Sequence, residues 1–280
     1  MTRRSRIAAH CPVCSTEADT VSNVSLFSAH RCGFCQHRFI RPVRQAVYGS
    51  GYDGYRDDPV VRASVGNLFD QHIMRLSDPP GEVLDVGCGN GVFLEVARDR
   101  GYRVRGVDIS ESATRLCADK GISALTGEFI ELPPATLGTP DVITFWDVVE
   151  HLPSPIEYLQ RAAAILAVDG LLLVKVPRTG EFSFRIGGAV PRLSGAVLHV
   201  PSHVQFFTEN SMAMALARGG FEVIEMVTPG ATRGAVTGGS WKRRIGRNVT
   251  RVITTISHDG NLLALARIRK TSETKEQPTP

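Results

Sequence analysis

This 280-residue chain has no long apolar run. No stretch approaches the roughly 18–20 apolar residues that cross a bilayer, so no transmembrane segment is expected. The opening Met1-Thr2-Arg3-Arg4-Ser5-Arg6 is basic but lacks the apolar core of a secretion signal, and a cytoplasmic location is expected. Strong charge of one sign is also missing. The formal net charge of +4 permits an anionic partner without requiring one. There is no internal repeat, no low-complexity tract and no signal for oligomeric state. An apolar share of 42% suits a packed globule, and the length suits one large domain plus a small accessory one.

The run Val83-Leu84-Asp85-Val86-Gly87-Cys88-Gly89-Asn90-Gly91 is the most informative feature present. It reads as a buried strand ending in a three-glycine turn, followed by a helix over Val92–Arg100. Glycines at alternate positions let a backbone pass close to a ligand where a Cβ would clash. A second strand, Arg103–Val107, ends in Asp108, placed to accept hydrogen bonds from two ribose hydroxyls. A dinucleotide fingerprint needs glycine at its first, third and sixth positions. Here the sixth position is Val92, and the glycines Gly87, Gly89 and Gly91 fall at the first, third and fifth. Asp85 would also repel a pyrophosphate, whereas it suits a ligand carrying an ammonium group.

This stretch resembles the cofactor signature of class I S-adenosylmethionine-dependent methyltransferases. The resemblance implies a Rossmann-like α/β fold, with a mostly parallel sheet and an antiparallel edge hairpin. It places Asp85, Gly87, Gly89 and Gly91 at the methionine end of the cofactor and Asp108 on its ribose. Ile109 packs near the adenine. Glu128 and Phe129 follow the third strand, where the family puts an acid on the adenine amino group and an apolar cover on the ring. Their alternative reading is a solvent-facing acid and a core aromatic.

The fourth strand runs into Phe145-Trp146-Asp147-Val148-Val149-Glu150-His151-Leu152-Pro153. Acids and an imidazole cluster there just past a strand end, where cofactor and acceptor would meet, with Trp146 on the cofactor side. The run resembles the branch that includes ubiquinone-biosynthesis O-methyltransferases. In some relatives a Glu-x-x-Glu-His pattern holds a divalent metal, which makes Asp147, Glu150 and His151 a candidate metal set; magnesium fits oxygen-plus-imidazole ligands only in part and manganese better. The alternatives are His151 as a general base, or Glu150 and His151 as braces of the turn. His199 and His203 lie four apart, and His203 is expected to face the acceptor pocket.

Cys11-Pro12-Val13-Cys14 and Cys32-Gly33-Phe34-Cys35 form two knuckles spaced to bring four thiolates to a tetrahedral zinc. Disulfides are disfavoured without a secretion signal. Cys88 and Cys117 read as packing residues, and His10, His30 and His37 as surplus to a complete four-sulfur set.

The expected organisation is a zinc ribbon over 9–42, a linker and helical lid over 43–80 and the methyltransferase domain over 81–270. Insertions fall at 178–207 and 228–260. Strands are expected near 83–87, 103–108, 123–126, 141–146, 170–176, 221–227 and 261–269, with Val21–Phe27 as a ribbon strand. Helices are expected over Val60–Leu76, from Ser154-Pro155 to about Ala167, and ahead of Gly219-Gly220 with Thr208 and Ser211 as caps. The basic stretch Trp241–Arg247 and the apolar spacing through Ile256 suggest a solvated helix, or peripheral contact of 241–256 with a membrane or nucleic acid. The whole pattern points to a methyltransferase acting on a small-molecule or glycan-like acceptor, most readily at oxygen. RNA methylation with the ribbon as docking module is the second reading, and a non-catalytic cofactor-binding protein is the third.

Overall fold

The computed structural model describes residues 9–24, 27–42, 58–179, 198–228 and 258–270. Two sheets organise it. The first carries β1 (Ala9–His10), β2 (Glu17–Val24), β3 (Phe27–Cys32) and β4 (Arg38–Arg41). The stretch Val21–Phe27 is therefore divided between two strands, because the hairpin reverses within it. The second sheet contains β5 (Glu82–Val86), β6 (Arg103–Asp108), β7 (Ser123–Thr126), β8 (Val142–Trp146), β9 (Leu171–Thr179), β11 (Phe221–Val227) and β12 (His258–Ile268). Its order is β11-β12-β9-β8-β5-β6-β7. The pairs β7–β6, β6–β5, β5–β8 and β8–β9 are parallel, whereas β12 runs antiparallel to both its neighbours. The last strand thus sits inside the sheet and β11 takes the edge.

Strand order reverses at β5, which has β6 on one side and β8 on the other. Such a reversal opens a crevice at the carboxyl ends of the strands. Both faces of the sheet are covered, which accounts for nearly continuous apolar strands such as Leu171–Val174. On one face Val83, Val142 and Leu173 pack against α1 (Pro59–His72), α2 (Val92–Arg98) and α3 (Glu111–Asp119), through Phe69, Phe93 and Cys117. On the other, Leu84, Phe145 and Val174 meet α5 (Pro155–Ile165) and α6 (Glu209–Arg218), after the short α4 (Pro134–Leu137). Val13 and Phe39 of the first sheet join this second core.

Local signals behave as their chemistry dictates, with two differences. Thr208 and Ser211 form a reciprocal cap on α6: Thr208 Oγ1 accepts from the Ser211 amide, and Ser211 Oγ accepts from the Thr208 amide. Pro155 opens α5, but the Ser154 side chain in front of it makes no capping hydrogen bond. Helix α1 stops at His72, and tighter turns carry the chain on to Ser77.

One strand was not expected. Within the 178–207 insertion, β10 (Gln205–Phe206) pairs antiparallel with β4 and becomes the fifth strand of the first sheet. The cysteine-bearing sheet is therefore completed by a segment from the far half of the chain. Arg218 Nη1 of α6 adds hydrogen bonds to Val13 O (3.2 Å) and Ser15 Oγ (3.0 Å). Phe182, Phe184, Arg185, Ile186, Pro191, the Tyr48–Tyr55 linker and the basic 241–256 segment lie outside the described residues.

Candidate active site

At the end of β5 the amides of Gly87 and Cys88 both donate to Val107 O, at 2.7 and 3.1 Å, which turns the chain sharply across the tip of β6. Gly87, Gly89 and Gly91 have φ of 76°, 54° and 78°. A Cβ on Gly87 would stand 2.4 Å from Val148 Cγ2, so space as well as backbone conformation demands glycine there. Cys88 and Cys117 are buried behind the turn with their sulfurs 3.9 Å apart, in packing positions as expected.

Asp108 is held by backbone alone in this turn. Its Oδ2 accepts from the Gly89 amide at 2.9 Å and its Oδ1 from the Ser110 amide at 2.8 Å. Burial nonetheless raises its pKa, against those two bonds. Asp85 is 2% exposed and accepts from Thr144 Oγ1 at 2.6 Å. Burial pushes its carboxyl up to about 7; the Thr144 hydroxyl opposes the shift and the Asp108 charge adds to it. Ile109 is 47% exposed beside them, an open apolar surface at a strand end. Trp146 packs on Phe93 with ring centroids 5.3 Å apart and lies 5.2 Å from Lys175 Nζ.

Phe129 takes the core position that was one of its two readings. Phe129 is 1% exposed and set edge-on to Phe145, a core position. Glu128 accepts a short hydrogen bond from the Tyr158 hydroxyl. The reason is a shape match: the two aromatic rings of Phe145 and Tyr158 leave a slot that Phe129 fills.

Past β8, Asp147 adopts φ of 55° and Val149–His151 forms a 3-10 turn. The sequence grouped Asp147 with Glu150 and His151 as a metal set, and here the structure corrects it. Asp147 Oδ2 is 2.5 Å from Lys175 Nζ, an ion pair that neutralises it. Lys175 was missed, although a lone cation in the apolar strand Leu171-Leu172-Leu173-Val174-Lys175-Val176 was a visible signal. In place of Asp147, His203 arrives from the insertion. Ligand atoms of Glu150, His151 and His203 all lie within 4.8 Å of one another. The His151 and His203 rings are 4.8 Å apart, and His199 stands 5.0 Å from His203.

Glu150 is 1% exposed, and neither carboxyl oxygen has a hydrogen-bond partner among the described residues. Burial first, then the Asp147 charge, drives its pKa well above the carboxylate range. His151 Nδ1 lies 2.9 Å from Ser202 O, so Nδ1 carries the proton and Nε2 is left as the acceptor, 3.9 Å from Glu150 Oε1. Burial lowers the His151 pKa, partly offset by the Ser202 carbonyl, which keeps the ring neutral near pH 7.

The four knuckle cysteines converge as spaced. Their sulfurs lie within 4.8 Å of one another, with Cys11–Cys35 at 3.6 Å and Cys14–Cys32 at 3.4 Å. Tetrahedral zinc with sulfur at 2.3 Å puts sulfurs about 3.8 Å apart. The two knuckles repeat one geometry. Ser15 and Gln36 both have positive φ, 65° and 64°, and their amides return to Cys11 O and Cys32 O. Mutual hydrogen bonding pulls the Cys11 thiol down to about 5 and pushes Cys35 up, as expected where clustered thiols share charge. His37, adjacent to this set, is fully buried and hydrogen-bonded to Gln205.

A family model described as a methyltransferase domain matches residues 62–226. A ubiquinone biosynthesis O-methyltransferase of Cupriavidus pinatubonensis is 26% identical over 153 residues, 52% of this chain and 61% of that protein. A protein of the same name from Bordetella avium is 30% identical over 150 residues, covering 50% of this chain and 61% of its own length. The chain spans about three-fifths of the length of these relatives. The crystal structure of a SAM-dependent methyltransferase from Archaeoglobus fulgidus superposes with a TM-score of 0.52 at 21% identity, covering 73% of this chain and 93% of that one. That likeness is one of fold, the class I α/β sheet expected from the sequence. No helix among the described residues is long and apolar enough to cross a membrane. With the family match running from α1 into β11, across the glycine turn and the turn after β8, the chain belongs to the methyltransferase-domain family.

Proposed function

We propose that this protein transfers a methyl group from S-adenosylmethionine to an oxygen of a small-molecule or glycan-like acceptor. The observation that carries the reading is the Asp108 carboxylate, pinned by two amides at the strand end beside the glycine turn. An acid so fixed presents its remaining lone pairs to a vicinal diol, as a ribose requires. Asp85 adds a carboxyl whose pKa of about 7 lets it ionise when a ligand ammonium approaches. The sulfonium supplies its own leaving group, so the chain has only to align the acceptor and exclude water. The ubiquinone-biosynthesis relatives favour oxygen as the acceptor atom.

On the acceptor side, Nε2 of a neutral, oriented His151 is able to take a hydroxyl proton. The partnerless Glu150 oxygens, with His151 and His203, also form a donor set for a divalent cation. One carboxylate and two imidazoles suit manganese better than magnesium. A cation held there supplies positive charge toward the acceptor oxygen. Cys11, Cys14, Cys32 and Cys35 fit structural zinc by donor type and separation, and ligation would stabilise a sheet with little core of its own.

Calorimetric titration with S-adenosylmethionine tests the central claim. Asp108→Ala removes two charge-assisted hydrogen bonds to the ribose, worth about 3 kcal/mol together. Affinity is expected to fall about 100-fold. An unchanged affinity in a folded variant rejects the assignment.

A further inference from the structure

The turn that carries Glu150 and His151 is gripped by three residues of the insertion, Ser202, Val204 and Gln205. His151 Nδ1 donates to Ser202 O at 2.9 Å, and the Val204 amide donates to Glu150 O at 2.9 Å. Gln205 Nε2 donates to Leu152 O at 2.8 Å and, more weakly, to Pro153 O at 3.4 Å. These same residues are anchored to the cysteine-bearing sheet on their other side. Gln205 and Phe206 pair with Phe39 and Arg38, and the Ile40 amide donates to Val204 O at 3.1 Å.

One side chain joins the two sets of contacts. Gln205 is 1% exposed. Because its amide nitrogen faces the Leu152 and Pro153 carbonyls, its Oε1 must face His37 Nε2, at 2.9 Å, and accept from it. His37 in turn follows the second knuckle directly: the Cys32 amide donates to His37 O at 2.9 Å. His37 stacks on Phe39 and lies 4.7 Å from the Phe207 ring. The path from cysteine knuckle to candidate catalytic turn therefore runs knuckle, His37, Gln205, Leu152, with no solvent-exposed step.

We propose that His37 and Gln205 are positioning residues, through which the four-cysteine sheet sets the geometry of the 150–153 turn. The sheet is then a support for the acceptor half of the site rather than a detached docking module. This inference rests on the methyltransferase reading for its functional consequence, but its physical content stands without it.

Hydrogen exchange of the full chain tests it without knowing the acceptor. The His151 and Leu152 amides donate to Val148 O and Val149 O within the turn. In Gln205→Ala they are expected to exchange at least tenfold faster, while the Cys11 and Cys32 knuckle amides and the Gly87–Gly91 amides keep their rates. Gln205→Glu is the conservative rescue. While protonated, its carboxyl still accepts from His37 and donates to Leu152 O; once ionised it loses the donor. Relative to the parent at each pH, protection of the turn should be restored at low pH and lost as pH rises, a profile that a general loss of packing does not produce. If Gln205→Ala fails to fold, His37→Phe keeps the ring stack, removes only the donor and should loosen the same amides. Parent-like exchange of His151 and Leu152 in the folded variants overturns the proposal. A parallel assay with labelled cofactor and catechol as probe acceptor should show kcat lowered at unchanged cofactor KM. Absence of transfer by the parent itself would exclude catechol as an acceptor and leave the exchange result to decide the positioning role.

Discussion

Two turns face each other across the reversal point of the main sheet, and they are built on opposite terms. In the turn after β5, the polar group that matters, Asp108, is held by neighbouring backbone amides. In the turn after β8, Glu150 is buried with neither oxygen hydrogen-bonded among the described residues, and the turn's supports come from residues about fifty positions downstream. The first is organised by its own chain direction. The second is organised only when the insertion and the cysteine-bearing sheet are in place, and it retains an electrostatic deficit that a proton, a cation or an acceptor must fill.

The comparison breaks most severely at Gly87. Gly87→Val puts a β-branched residue at positive φ and drives its Cβ to within 2.4 Å of Val148 Cγ2, which belongs to the opposite turn. Strain plus overpacking should cost about 3–5 kcal/mol and disorder both turns together. Denaturant melts read the stability; exchange confined to 87–91 would show that the turns are independent.

Asp85→Asn is the next largest. The folded-state pKa of Asp85 is raised to about 7 from an ordinary 3.8, so the folded form resists ionisation. Its penalty is absent below the unfolded value, grows as pH rises between about 4 and 7, and is complete above. The amide variant should therefore gain stability over the parent at pH 8, on the order of 4 kcal/mol, and match it near pH 4. Cofactor affinity should fall about tenfold at pH 8, because the ammonium partner loses its charge complement. Parallel pH-stability curves for the two proteins would mean that Asp85 is not the buried titrating group.

The smallest effect at acid pH is expected at Glu150. Burial raises its pKa well above the usual range, so the folded form resists ionisation. Near pH 4, where the folded and unfolded chains both largely hold this proton, Glu150→Gln should change stability by under about 1 kcal/mol. The sign follows the Asp85 argument: the parent loses stability as pH rises toward the raised pKa, and the variant does not. Manganese binding, followed by calorimetry, should vanish in the variant. Retained manganese affinity would remove Glu150 from the donor set.

Much of this architecture was readable before any coordinates. The seven strands of the main sheet fall where apolar runs and turn residues put them, and the Thr208–Ser211 cap and both cysteine knuckles follow from short spacings. The grouping of Asp85, the three glycines and Asp108 in space was legible because β5 and β6 are adjacent in both sequence and space. Asp147 was misgrouped for the opposite reason. Lys175, which neutralises it, lies one strand over, and parallel pairing brought them together only through a crossover. Phe129 was open between a ligand cover and a core aromatic, and only the rings of Phe145 and Tyr158 beside it show the core packing.

Local chemistry in the sequence alone thus determined the strands, the glycine turn and the cysteine cluster, since each depends on residues within one unit of chain. Only the tertiary structure decided that β10 completes the cysteine-bearing sheet, that His203 replaces Asp147 beside Glu150, and that Gln205 ties His37 to Leu152. Those contacts join segments up to 168 residues apart. No periodicity or spacing encodes them, because they arise from which surfaces remain to be buried once the local elements have formed.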